Sequence, residues 1–202
     1  MNCPSLASTI RSLRLAAGSD DWERREFAGF ALRDLIELHF DEGVRLTRSW
    51  ASDPSERVRR AFCLSCMQRK KYTTDQKVRT ILKRLQPVMS DESLYVRKCC
   101  GPFVVGYLGY TYPTITLPWL ARQAKKRDLN VRTNVAKAFS QALGGKHPRE
   151  ALQILNLLSS DGRPRLRAAV ASALRNVLRR SRESRTIVRS SFPRLRSLVR
   201  EN

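Results

Sequence analysis

No run of apolar residues in the chain approaches the ~18 needed to span a bilayer. The first segment, Met1 to Gly18, carries Leu6, Ile10, Leu13 and Leu15 but interrupts them with Arg11 and Arg14, so it lacks the unbroken apolar stretch of a signal peptide. There is no P-loop, no Rossmann glycine pattern, no H-E-x-x-H and no G-x-S-x-G, which leaves the common nucleotide-binding and hydrolase mechanisms without support. Histidine is scarce, and His39 and His147 stand far in sequence from the cysteines, which argues against a metal site. Acid is scarce too, but only in part of the chain: beyond residue 60 there are 8 Asp/Glu against 29 Lys/Arg. We therefore expect a soluble cytoplasmic protein (nucleoid-associated if its source is bacterial), with no membrane partner and no cofactor.

At 202 residues and 42% hydrophobic the chain can bury a core, which excludes global disorder. Its formal net charge is +21 and its pI near 11.0. Residues 1–60 hold ten Lys/Arg against ten Asp/Glu, so the whole excess lies beyond residue 60. A cation excess of this size is usually matched by a polyanion, and nucleic acid is the leading partner class. Five cysteines, Cys3, Cys63, Cys66, Cys99 and Cys100, are an odd number without the spacing of a secreted disulfide framework, and reduced thiols are expected.

One pattern recurs. Aligned on Arg25, Arg59, Arg97, Arg132 and Arg167, the sequence repeats with spacings of 34, 38, 35 and 35, a helical-hairpin period. An Asp precedes each anchor by four to six residues, at Asp20, Asp53, Asp91, Asp128 and Asp161, and reads as an N-cap or inter-helix turn residue. Before the anchors stand Arg24, Val58, Val96, Val131 and Leu166. Three residues after them come Ala28, Phe62, Cys100, Val135 and Val170, and seven after, Leu32, Cys66, Val104, Phe139 and Leu174. Steps of four place these on one helical face. Further amphipathic segments lie between the anchored helices, at Glu42–Ser52, Asp75–Met89, Thr116–Lys126 and Arg149–Ser159.

One such hairpin cannot bury its apolar face alone, and stacking copies makes the core. The predicted fold is all-α, a right-handed solenoid of about five HEAT-like hairpins with a basic concave face. It is taken as a single domain over 1–202, whose first copy, with Arg24 at an apolar position, is a cap. Pro102 should kink the third anchored helix or delay its start. Gly106 to Pro118 is expected to be the most irregular connector, and Arg163–Asn202, with twelve arginines against two acids, to end in one last basic amphipathic helix.

The Asp-x(n)-Val-Arg pattern resembles HEAT repeats. More narrowly, "DDWERREFAGFALRDL" (Asp20–Leu35), "SWASDPSERVRRAF" (Ser49–Phe62) and "SLYVRKCCG" (Ser93–Gly101) resemble the DNA alkylation repair family of HEAT-like glycosylases. The resemblance spans about Asp20 to Arg180 and rests on degenerate motifs. It implies a monomer that cradles double-stranded DNA in a basic groove and, in active members, excises N-alkylated purines with an acidic side chain and tryptophans beside the lesion. The family's tryptophan-rich segment with its catalytic aspartate is absent here, so the catalytic residue is unknown.

Glu92, at the start of the third anchored helix, is the one named candidate, although a carboxylate there also complements the helix dipole. Trp50 and Trp119 could offer ring faces to a cationic alkylated base, although packing between helices is the commoner use of a tryptophan in such repeats. DNA-backbone contacts are expected from Arg59, Arg60, Arg97, Lys98, Arg132, Lys137, Arg167 and Arg175. The anchor arginines among them could instead be held in a ladder between repeats. "CLSC" at Cys63–Cys66 has metal-pair spacing, but its residues align with small and core positions of other copies, so packing is expected and no metal. Two non-enzymatic alternatives are a nucleic-acid binder without catalysis and a repeat scaffold for an acidic protein partner.

Overall fold

The apolar stripes read from the repeat fold as helices, and among the residues described, 5–200, every regular element of the computed structural model is helical. Cys3 and Glu201 lie outside the described residues. The chain forms two compact units, divided between Cys100 and Gly101. No described helix is long and apolar enough to cross a membrane.

The first unit comprises α1 (Leu6–Ala17), α2 (Trp22–Leu38), α3 (Phe40–Leu46), α4 (Glu56–Ser65), α5 (Asp75–Met89) and α6 (Leu94–Cys99). The anchored helices stack α2 on α4 and α4 on α6, while α1 packs on α2 and α5 packs on α4 and α6. Close approach of α2 to α4 requires Gly29, where a Cβ would lie 2.9 Å from Leu64 Cβ and Cδ1.

In the second unit α7 (Gly106–Thr111), α8 (Pro113–Ala124), α9 (Leu129–Ala138), α10 (Ala142–Lys146), α11 (Pro148–Leu158) and α12 (Pro164–Arg180) repeat the scheme, with α9 stacked on α12 and α8 on α11. Helices α13 (Arg182–Ser191) and α14 (Pro193–Arg200) close this unit against α11 and α12. Each unit is thus a stack of helical hairpins. Every position of the predicted stripe is buried except Arg24, which is exposed on the first copy.

The aspartates divide between the two predicted roles. Asp128 caps α9, its Oδ1 accepting from Val131 N at 2.8 Å. Asp53, Asp91 and Asp161 instead accept from the backbone N–H two residues on, at 2.9, 2.8 and 3.0 Å, and so turn the chain just ahead of the helix. At the first copy Asp21 caps α2 in place of Asp20.

Pro102 sits in a π-helical turn, Cys100–Val105, and does not delay the start of its helix, which begins at Leu94. Two local expectations are corrected. The stretch from Gly106 to Pro118 is helical except at Tyr112, because Pro113 opens α8 at the position where a missing N–H costs nothing. The C-terminal segment forms two helices, not one, divided at Phe192 by Pro193 at the first turn of α14. Helix α1 carries Ile10, Leu13 and Ala17 buried against its neighbours and gives the first anchored helix its hairpin partner.

Candidate nucleic-acid interface

The anchor arginines are held by their own repeats. Arg25 Nη1 donates to Ser19 O and Asp20 O at 2.9 and 2.6 Å, Arg59 Nη1 to Asp53 O and Pro54 O at 2.7 and 3.0 Å, and Arg97 Nη1 to Asp91 O and Glu92 O at 2.7 and 2.5 Å. Each guanidinium thus satisfies two carbonyls of the turn that precedes its helix. The rest of the fork reaches the next repeat: Arg59 binds Asp91 through Nε at 2.6 Å and Nη2 at 3.1 Å, and Arg132 reaches Asp161 at 3.1 Å. Arg14 of α1 does the same for Asp53 at 2.6 Å. A planar five-donor fork suits this double task, which a lysine could not perform.

Arg59 is therefore a ladder residue with most of its donors already used; Arg132 pairs with Asp161 while its Nε has no hydrogen-bond partner among the described residues, and Arg97 is held by the turn of its own repeat. Arg60 belongs to a similar local set, paired with Glu26 and stacked 4.8 Å over the Tyr95 ring.

Asp161 lies between two such cations. Hydrogen bonds from Arg163, above all its side chain, together with the charge of Arg132, hold its carboxyl down at about 2 against an ordinary 3.8. A depressed folded-state value stabilises the fold above the unfolded value and loses that effect as pH falls through the folded one. Asp161→Asn should therefore melt below the wild type at neutral pH. The gap in melting temperature should close between about pH 4 and pH 2, as read by circular dichroism.

The aromatic candidates do not face solvent. Trp50 is 2% exposed and Trp119 6%, so both are core residues and the expected ring faces for a lesion are not presented. Both lie in short amphipathic segments whose apolar side turns inward, a tryptophan's commonest place in stacked hairpins. Glu92 is exposed and lends its backbone carbonyl to Arg97.

Cys63, Cys66, Cys99 and Cys100 are buried free thiols. Burial pushes Cys66 up to about 12 and Cys63 upward as well, while a hydrogen bond from Cys63, aided by the Arg60 charge, lowers Cys99. Cys100 Sγ lies 3.6 Å from Met89 Sδ, and the cluster packs as core.

The remaining candidates lie on open surface. Lys98 is exposed on α6, and Arg167 and Arg175 are exposed on α12, while Lys137 of α9 is half-buried. Residues 101–202 hold 20 Lys/Arg against 5 Asp/Glu. Of those acids, Asp128 caps α9, Asp161 is in the ladder and Glu183 pairs with Arg149 at 2.6 Å. On α12 the exposed residues Arg165, Ala168, Ser172, Arg175 and Arg179 follow helical spacing along one face, with small side chains between the arginines. Arg165 is steadied there by Asn130 of α9. Such a face admits a phosphate backbone close to the helix, with a guanidinium at each end.

Sequence reasoning assigned Arg175 to this surface but did not single out Arg165 or Arg179. The signal was the arginine excess after Arg163, which fixed the charge but not the packing of α13 and α14.

No family model matches the chain and no curated protein does. Among solved structures it is similar to a designed armadillo repeat protein, at 13% identity over 97% of each chain with a TM-score of 0.42. It is likewise similar to a designed armadillo repeat protein in complex with the peptide (KR)4, at 14% identity over 98% of this chain and 97% of that one, TM-score 0.40. The chain is an all-α helical-repeat protein.

Proposed function

We propose that the chain is a cytoplasmic DNA-binding repeat protein that captures alkylated duplex as a monomer, holding it by the phosphate backbone. The observation that carries this reading is the cation excess of the second unit, 20 against 5, in which most of the few carboxylates are committed to caps, ladder or pairing. Phosphates supply the missing anions, and contacts to them carry little sequence preference. The duplex lies along Lys137 of α9 and Arg165, Arg175 and Arg179 of α12.

Capture without excision is favoured by the burial of Trp50 and Trp119, the two rings expected to hold a flipped base. The test is incubation with methylated and unmodified duplex at about 0.15 M salt, with equilibrium binding and abasic-site formation measured together. Binding without abasic sites is the expected result. Abasic sites would make the protein a glycosylase, and absence of binding to either duplex would reject the reading.

A further inference from the structure

The second unit contains a cavity of about 700 Å³ where α12, α13 and α14 meet. Arg175 and Arg179 of α12, Arg185 and Arg189 of α13 and Arg196 of α14 line it. No carboxylate is among the described lining residues, and none of the five arginines has a carboxylate partner among the described residues. The remaining walls are Leu178 and Val188. Arg175, Arg179, Arg185 and Arg189 are exposed, and the like charge they gather at one concavity favours an anion there.

Two details fix how this wall is held. Asn176, itself buried, donates its amide to Ser140 O and turns its Oδ1 toward Arg179 Nη2 at 3.2 Å and Arg180 Nε at 2.9 Å. This holds the Arg179 guanidinium at the rim. Arg196 donates through Nη2 to Arg189 O, while its Nε is buried without any partner.

We infer that this cleft is a binding site for a compact organic polyphosphate, an ester whose closely spaced phosphates are gripped by arginine forks while its carbon frame rests on Leu178 and Val188. The volume falls in the range of small-ligand sites; the cleft shares Arg175 and Arg179 with the proposed duplex surface, but Arg185, Arg189 and Arg196 take no part in that reading, so the assignment goes beyond it. Arginine is the side chain suited to this task, because its planar fork binds phosphate through two parallel N–H···O bonds.

Isothermal titration with inositol hexakisphosphate, tripolyphosphate and orthophosphate tests the assignment. One site per chain is expected for the first two ligands, with orthophosphate at least ~100-fold weaker because a single phosphate engages only one or two forks. At ~100-fold excess over Kd, hexakisphosphate should raise the melting temperature by ~5–10 °C.

Arg185→Ala/Arg189→Ala should weaken hexakisphosphate at least ~10-fold. Arg185→Lys/Arg189→Lys keeps the charge and avoids any folding penalty of its loss, and should still weaken it several-fold. Equal binding by the lysine variant and the wild type would mean diffuse charge attraction and would overturn the site. So would binding of many ligands per chain without saturation. If duplex DNA displaced hexakisphosphate one for one and the lysine variant lost duplex binding equally, the cleft would belong to the nucleic-acid surface, and the assignment would fall while the DNA reading stood.

Discussion

Asp91→Ala is expected to lower the unfolding free energy by about 3 kcal/mol and the melting temperature by ~6–12 °C. The Asp91 side chain is 6% exposed, receives both arms of the Arg59 fork and accepts from Ser93 N at 2.8 Å in the turn before α6. Its removal leaves the Arg59 guanidinium, 17% exposed, without a counter-charge and unties the turn. Breaking one side of a covered pair costs ~3–5 kcal/mol, and the lower end applies because Arg59 keeps the carbonyls of Asp53 and Pro54.

Asp91→Asn separates the two roles, since its Oδ1 can still accept from Ser93 N–H while the charge is gone. A melting temperature between those of Asp91→Ala and the wild type is expected. The exposed pair of Arg149 and Glu183 is the control: Arg149→Ala should leave the melting temperature unchanged. A ladder variant that melts like this control would show that the repeats do not depend on the ladder.

The second large effect concerns binding. Lys137→Glu/Arg165→Glu/Arg175→Glu should reduce duplex affinity at least ~100-fold at about 0.1 M salt, and should lower the magnitude of the slope of log K against log salt by about three. Each neutralised phosphate releases condensed counterion, and each reversal both removes a contact and adds repulsion. Arg132→Ala should behave differently. Its guanidinium is engaged by Asp161, so the change should lower the melting temperature while leaving the salt slope within error. If Arg132→Ala reduced the slope as strongly as Arg165→Ala, the division between ladder and phosphate-contacting arginines would be wrong.

Much of the fold was legible because a repeat states its core five times over. Val58, Val96, Val131 and Leu166 share one register and one fate, and Arg24 broke the pattern where the stack begins. Helix α1 was harder to see, since a search for an apolar run passes over Ile10, Leu13 and Ala17, which show themselves only at helical spacing.

Prolines misled in both directions. Pro113 stood in a stretch read as irregular and Pro193 in one read as a single helix, yet each opens a helix, and Pro102 lies in a π-helical turn. The side-chain contacts of Trp50 and Trp119 could not be read, because a tryptophan's helical position says which face it is on and not whether another helix covers that face. For the arginines, composition gave the sign of the surface. The ladder, in which Arg59 and Arg132 meet Asp91 and Asp161 of the following copy, was open as an alternative in the recurring Asp and Arg, but spacing alone could not decide it.

The central claim is that the open basic face of this protein meets a phosphate backbone. Its most direct test is the equilibrium constant for unmodified duplex DNA measured across ~0.05–0.3 M salt with two unrelated sequences. The account predicts a slope of log K against log salt steeper than about −4, the release expected from roughly five phosphates, and the same line for both sequences. A slope shallower than about −1, or no binding at ~0.15 M salt, would contradict it.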